Sequence, residues 1–138
     1  MCLRRRFKRI ERLSVPPGSK VLALDLEVRC CIKQLSIEAN MDNTTGTDSS
    51  KWIIKIDEDE ILNDSIREIH ANYCLWYVTS QATRPIQTIV WDETEKWYGF
   101  IFLDLGRVER RFAIFFENKD TSNPAYVRVG VIYDILED

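Results

Sequence analysis

Hydrophobic and polar residues alternate along much of this chain, and a period of two predicts strands. Leu22, Leu24, Leu26, Val28, Cys30 and Ile32 alternate with Asp25, Glu27, Arg29 and Lys33. Such a run gives a sheet one face for a core and one for water. The phase then slips, because Leu35 and Ile37 fall on odd positions, which predicts a bulge or bend near Lys33-Gln34. Lys51 to Ile56 is a second strand, with Trp52, Ile54 and Ile56 on one face. After residue 85 the pattern predicts a meander. Its strands are Ile86 to Trp91, Lys96 to Leu105, a strand with Val108, Phe112, Ile114 and Phe116 on one face, and Tyr126 to Ile135. Asp92-Glu93-Thr94-Glu95 and Leu105-Gly106-Arg107 are the expected turns, the second using glycine for unusual backbone angles.

A different period marks one segment. Leu62, Ile66, Ile69, Tyr73 and Trp76 are spaced by three and four residues, which puts all five on one helical stripe. Asp59 or Asn63 would cap its start, and Thr79 to Pro85 would close it. Leu3, Phe7 and Ile10 have similar spacing and predict a short helix over residues 1–13, broken by Val15-Pro16-Pro17-Gly18-Ser19. Asn40 to Ser50 and Asn118 to Pro124 are polar loops. The expected fold class is α+β: a mostly antiparallel sheet of about six strands with one packed amphipathic helix. Residues 20–138 would form the single domain, preceded by a basic N-terminal arm over residues 1–13.

Composition agrees with one folded unit. A chain of 138 residues buries roughly two-thirds of its unfolded surface and needs no disulfide or metal for a core. Its 45% hydrophobic and 30% charged residues exclude a wholly disordered chain. Charge adds an asymmetry. Arg4, Arg5, Arg6, Lys8, Arg9 and Arg12 stand against Glu11 alone, a local +5, so the net charge of -3 leaves -8 on the rest. A cationic arm on an acidic body favours contact with phosphate, in nucleic acid or an anionic membrane; the bland alternative is a solvated lead-in that docks on the chain's own acidic surface. Lipid on Cys2 would reinforce membrane contact.

Candidate chemistry changes this picture little. Cys2, Cys30, Cys31 and Cys74 include no Cys-x-x-Cys pair, and neighbours on a strand point to opposite faces, so no metal site is expected. Free thiols are the simpler reading. His70 is the one histidine and has no adjacent nucleophile, so a surface or half-buried role is expected of it. Ser14, Ser36 and Ser65 lack nucleophile-elbow glycines. Asp57-Glu58-Asp59-Glu60 lacks the spacing of a calcium loop, and Asp92, Glu93 and Glu95 lack the acid two residues before Lys96 that metal-dependent nucleases use. No glycine-rich phosphate loop occurs. No apolar run approaches the roughly 20 residues of a membrane span, and the start lacks a signal-peptide core, so an intracellular, cytoplasmic protein is expected, either free or peripheral to a membrane. The sequons at Asn43 and Asn63 would matter only after export.

Aromatic residues crowd the two central strands of the last third, from Trp91 and Trp97 to Phe115 and Phe116. Alternation sends half of them into the core. Trp97 and Tyr98, with Arg107, Arg110 and Arg111, are the candidate interface, since Trp, Tyr and Arg are enriched where proteins meet. Ile89-Val90-Trp91-Asp92-Glu93-Thr94-Glu95, followed by the strand from Trp97, resembles a segment of rhabdovirus-type matrix proteins, and Arg4-Arg5-Arg6-Phe7-Lys8-Arg9 resembles their basic start. The Pro-Pro-x-Tyr motif of those proteins is missing here, since Pro16-Pro17 precedes Gly18-Ser19. The resemblance implies a non-enzymatic assembly protein that joins membrane and nucleocapsid. The expected function is therefore binding or assembly without cofactor, through protein contacts or self-association. A nucleic-acid-binding module and a small enzyme with a scattered active site are the alternatives.

Overall fold

A computed structural model describes residues 2–41, 49–74 and 85–137. Nine strands follow one another: β1 (Cys2–Val15), β2 (Lys20–Leu26), β3 (Cys30–Asn40), β4 (Lys51–Ile56), β5 (Asp59–Ser65), β6 (Ile86–Asp92), β7 (Trp97–Val108), β8 (Phe112–Glu117) and β9 (Ala125–Glu137). A four-residue helix, α1 (Ile66–Ile69), follows β5 and runs on as one π turn, His70–Cys74. The strands form a five-stranded sheet in the order β1-β9-β3-β7-β6 and a four-stranded sheet in the order β2-β8-β4-β5, with antiparallel pairing throughout. Apart from the hairpins β4–β5 and β6–β7, every connection crosses from one sheet to the other. With β6 set aside as an added edge, the winding is that of a jelly roll.

The fold is thus mostly antiparallel β, with more strands and less helix than the sequence pattern predicts. Inward alternation builds the core as expected: Trp52 and Ile54 from β4, Phe112, Ile114 and Phe116 from β8, and Val127, Val129 and Val131 from β9 are all buried. Trp52 meets Phe116 edge-on with ring centroids 4.7 Å apart. The expected phase slip is present. The ladders of β3 to β7 and to β9 both shift between Ile32 and Gln34, and the inward set changes from Cys30 and Ile32 to Leu35, Ile37 and Ala39.

The tight turn expected at Leu105-Gly106-Arg107 is instead part of β7, which runs on to Val108; three further expectations need correction. First, the alternating run from Leu22 to Ile32 is two strands in different sheets, with the corner at Glu27-Val28-Arg29. The Arg29 carbonyl is held there by the Leu136 amide at 3.0 Å. Second, the helical stripe from Leu62 begins in a strand. Asp57 and Glu58 take positive φ of 50° and 73° and turn the chain so that Asp59 pairs with Ile56. Helix starts only at Ser65, where Ser65 Oγ accepts from the Glu68 amide and the Glu68 carboxylate accepts from the Ser65 amide. Trp76 and the expected helix end lie outside the described residues. Third, residues 2–15 are neither a helix nor a separate arm. They form β1 and pair along their length with β9, from Cys2↔Glu137 to Val15↔Ala125.

The β4–β5 turn is strained, since positive φ is uncommon for non-glycine residues. A second chain segment holds it. The Asp57 carboxylate accepts from the amides of Glu109, Arg110 and Arg111 at 2.9, 2.7 and 2.9 Å, and the Asp57 amide donates to the Arg111 carbonyl. These bonds to the charged form hold the Asp57 carboxyl below the usual carboxylate range.

Two predictions follow from this packing. Phe116→Ala should cost about 3–5 kcal/mol in denaturant unfolding, whereas Trp52→Phe should cost less. The indole N–H of Trp52 is buried with no hydrogen-bond partner among the described residues, so removing it releases an unmet donor. Asp57→Ala should lower the melting temperature at pH 7. Because the folded value of Asp57 is depressed, its contribution is present above the ordinary carboxylate value and is lost as pH falls through the folded one. The melting-temperature gap between the two proteins should therefore close in acid.

Candidate interaction surface

The outer face of the five-stranded sheet carries part of the basic leader together with residues of β3 and β9. Along β1, Arg5, Phe7 and Arg9 face outward with their partners Asp134, Ile132 and Gly130 on β9, while Ile10, Leu13 and Val15 turn toward the core. Phe7 is 72% exposed, the largest exposure among the large hydrophobic side chains described. Beside it the floor drops, because Gly130 of β9 pairs with Ser36 of β3 and neither side chain fills the face. The result is a shallow trough of about 650 Å³. Arg9, Arg12 and Arg128 stand around it, with Glu38 on the β3 side.

Each rim cation is oriented by a neighbour. Arg9 pairs with Glu11 at 2.7 Å, and Arg128 approaches Glu38 at 3.7 Å. The Arg12 guanidinium lies 4.2 Å from the ring centre of Tyr126, and that of Arg128 lies 4.4 Å from the ring centre of Trp97. Guanidinium–aromatic pairs on a half-exposed sheet are typical of surfaces where proteins meet. Strand alternation was the available signal for this face. Arg128 sits between the inward Val127 and Val129, and Gly130 follows in the same outward row.

The basic residues of β1 are exposed but engaged with the fold. Arg5 donates to both carboxylate oxygens of Asp134, at 2.8 and 3.1 Å. That guanidinium holds the Asp134 carboxyl below its usual range although the side chain is largely buried. Arg6 donates to the Arg5 carbonyl, and Lys8 crosses to the Asp25 carbonyl of β2 at 3.0 Å. Arg4 is exposed on the same strand. The side chain of Cys2 lies outside the described residues.

The candidate interface at β7 does not come together as one patch. Trp97 opens β7 and Arg107 nears its end, roughly 33 Å away at strand rise. Tyr98 points inward, is 4% exposed, and meets Trp91 edge-on. Burial is the main cause raising its hydroxyl pKa. Arg110 lends its amide to Asp57, and Arg111 grips Asp25 through two bonds of 2.8 and 3.2 Å. Arg107 and Arg29 both reach Glu109. These arginines order the β7–β8 turn rather than line a shared face with Trp97.

This chain's structural likeness is to a chain of the cyanophage Pam1 capsid asymmetric unit, with a TM-score of 0.52 and 14% sequence identity. It covers 97% of this chain and 86% of that one. At that identity the likeness is one of fold. No family model and no curated protein matches the sequence.

Elsewhere, His70 lies at the start of the π turn, half-buried, with its ring stacked on Trp91 at 4.2 Å and Nδ1 2.7 Å from Thr88 Oγ1. Arg67 lies over Trp91 as well, at 5.5 Å. This cluster fastens α1 and the π turn to β6. Cys30 and Cys74 are buried free thiols, Cys31 is half-buried, and burial pushes the Cys30 thiol up to about 11. No group of three or more His, Cys, Asp or Glu able to hold a metal occurs among the described residues.

Burial, with Arg67 as the lesser cause, lowers the His70 pKa. Its folded state favours the neutral ring, so its contribution to stability is full above the ordinary histidine value and declines as pH falls below it. The melting temperature should drop between pH 7.5 and 5, and His70→Phe should remove part of that drop by keeping the stack on Trp91 without a titrating ring.

Proposed function

We propose that this chain is a non-enzymatic structural protein that assembles with copies of itself, as a component of a virus-type shell. The single observation that carries the reading is the outer face of the five-stranded sheet. It presents the exposed Phe7, a trough, and arginines over the rings of Tyr126 and Trp97. The jelly-roll winding supports it, because that architecture recurs in viral capsid domains. The fold likeness to a capsid chain points the same way. The matrix-like role implied by the sequence resemblance is the same class of work at a membrane-facing layer.

A second reading keeps the cations of β1 for an anionic surface, either nucleic acid or membrane. Its support is the exposure of residues 4–9, where five of six side chains are cationic. Counterion release would then make binding weaken steeply with salt.

Sedimentation of the purified chain over a range of concentrations tests the first reading. Mass should rise above 16.2 kDa as concentration increases. A monomer at every concentration would contradict self-assembly. Salt-sensitive binding to a mixed-sequence oligonucleotide or to anionic vesicles by that monomer would then favour the second reading.

A further inference from the structure

Two edges of this sandwich carry opposite charge, and they lie on opposite sides. β1 ends the five-stranded sheet and lies beside β2. β5 ends the four-stranded sheet, on the side where α1 and the π turn reach β6. β1 is 14 residues long and, among the described residues, is laddered on one side only. A long edge of that kind offers a row of backbone donors and acceptors to another strand. Two copies of β1 do not suit each other, because pairing would set arginine against arginine and like charges opposite one another repel. β5 has the complementary pattern. Asp59, Glu60 and Ile61 are exposed, Ile61 by 46%, and Asp64 follows.

We propose that β1 of one copy pairs with β5 of a second copy, so that the two sheets join edge to edge. The inference rests on the self-assembly reading and names its surface. An antiparallel register with Ile61, the bulge residue of β5, near Phe7 brings Asp59 and Glu60 to Lys8 and Arg9 and brings Asp64 to Arg4. The two exposed apolar side chains thus cover each other while each acid meets a cation. Asp64 accepts from the Tyr73 hydroxyl at 3.0 Å. Within one copy, Arg5 stays on Asp134 and is not needed for the contact. Because the basic and acidic edges are different surfaces, the contact is heterologous. It builds rings where the rotation closes and open filaments where it does not.

Charge exchange tests this on the full chain. One variant carries Lys8→Glu with Arg9→Glu, and the other carries Asp59→Lys with Glu60→Lys. Circular dichroism and thermal melts establish that each remains folded, and the neutral pairs Lys8→Gln with Arg9→Gln and Asp59→Asn with Glu60→Gln serve if either does not. Each charge-reversed variant alone should sediment as monomer where the unaltered chain is oligomeric, with self-affinity down roughly a hundredfold. The neutral pairs should each lose part of that affinity. An equimolar mixture of the two reversed variants should assemble again, now alternating, because acidic β1 meets basic β5 and basic β1 meets acidic β5. Assembly of either reversed variant alone to the same extent as the unaltered chain would overturn the edge pairing while leaving the assembly reading in place. A mixture that stays monomeric would overturn it too. An unaltered chain that is monomeric at every concentration would overturn both.

Discussion

The last strand of the chain lies between the first and the third, and the rest of the sandwich depends on that insertion. β9 is laddered to β1 on one side and to β3 on the other. Its inward row, Val127, Val129 and Val131, closes the core over Trp52, Phe112 and Phe116. Neither β1 nor the β3–β7–β6 group can complete the five-stranded sheet until β9 is in place. Pairing residues that far apart in sequence is costly in loop entropy and slow. The bulge shared by both partners of β3 marks the same insertion, since one slip at Lys33 re-aims β3 against β7 and β9 together.

This arrangement explains how a strand with six cations and one acid can belong to a sheet. β1 needs only one hydrogen-bonded side and one inward row. Ile10, Leu13 and Val15 supply the inward contacts at its second half. Its cations are disposed outward or over the rim, where Asp134, Glu11, the Tyr126 ring and the Asp25 carbonyl receive them. Charge on an edge strand also discourages unwanted strand addition. Here it does so selectively, against copies of itself and in favour of acidic edges. Fold and charge thus point to one economy of design: the basic edge is part of the scaffold and part of the surface at once.

Much of the core was legible in sequence, because alternation is a local signal and the inward rows of β4, β8 and β9 follow it. The bulge at Lys33 was legible for the same reason. What alternation does not carry is the sheet to which a strand belongs. Nothing in Glu27-Val28-Arg29 breaks the pattern, yet the chain changes sheets there without glycine or proline. The β4–β5 turn was hidden by its residues. Turns with two positive φ angles usually use Asn or Gly, whereas Asp57-Glu58 is held by amides about 50 positions away in sequence. Once that turn was missed, Leu62 joined a helical stripe that belongs to two different elements. The helix start did have a signal, Ser65 followed by Glu68, the pattern of a reciprocal cap. The leader reads as a helix because Leu3, Phe7 and Ile10 fit one locally, while the strand it pairs with begins at residue 125. For the surface, the cations of residues 4–12 were legible and their acidic and aromatic partners were not, since those come from β9 and the β1 bulge.

Residue-resolved amide hydrogen exchange across β1 and β5 is the most direct test of the central claim, that the basic leader is a sheet strand held on one side and open on the other. In dilute solution every second amide of residues 4–10 should be protected by β9, with the intervening amides exchanging fast. On assembly those intervening amides should become protected together with amides of residues 59–64. Uniformly fast exchange through residues 2–15 would contradict the account at its root.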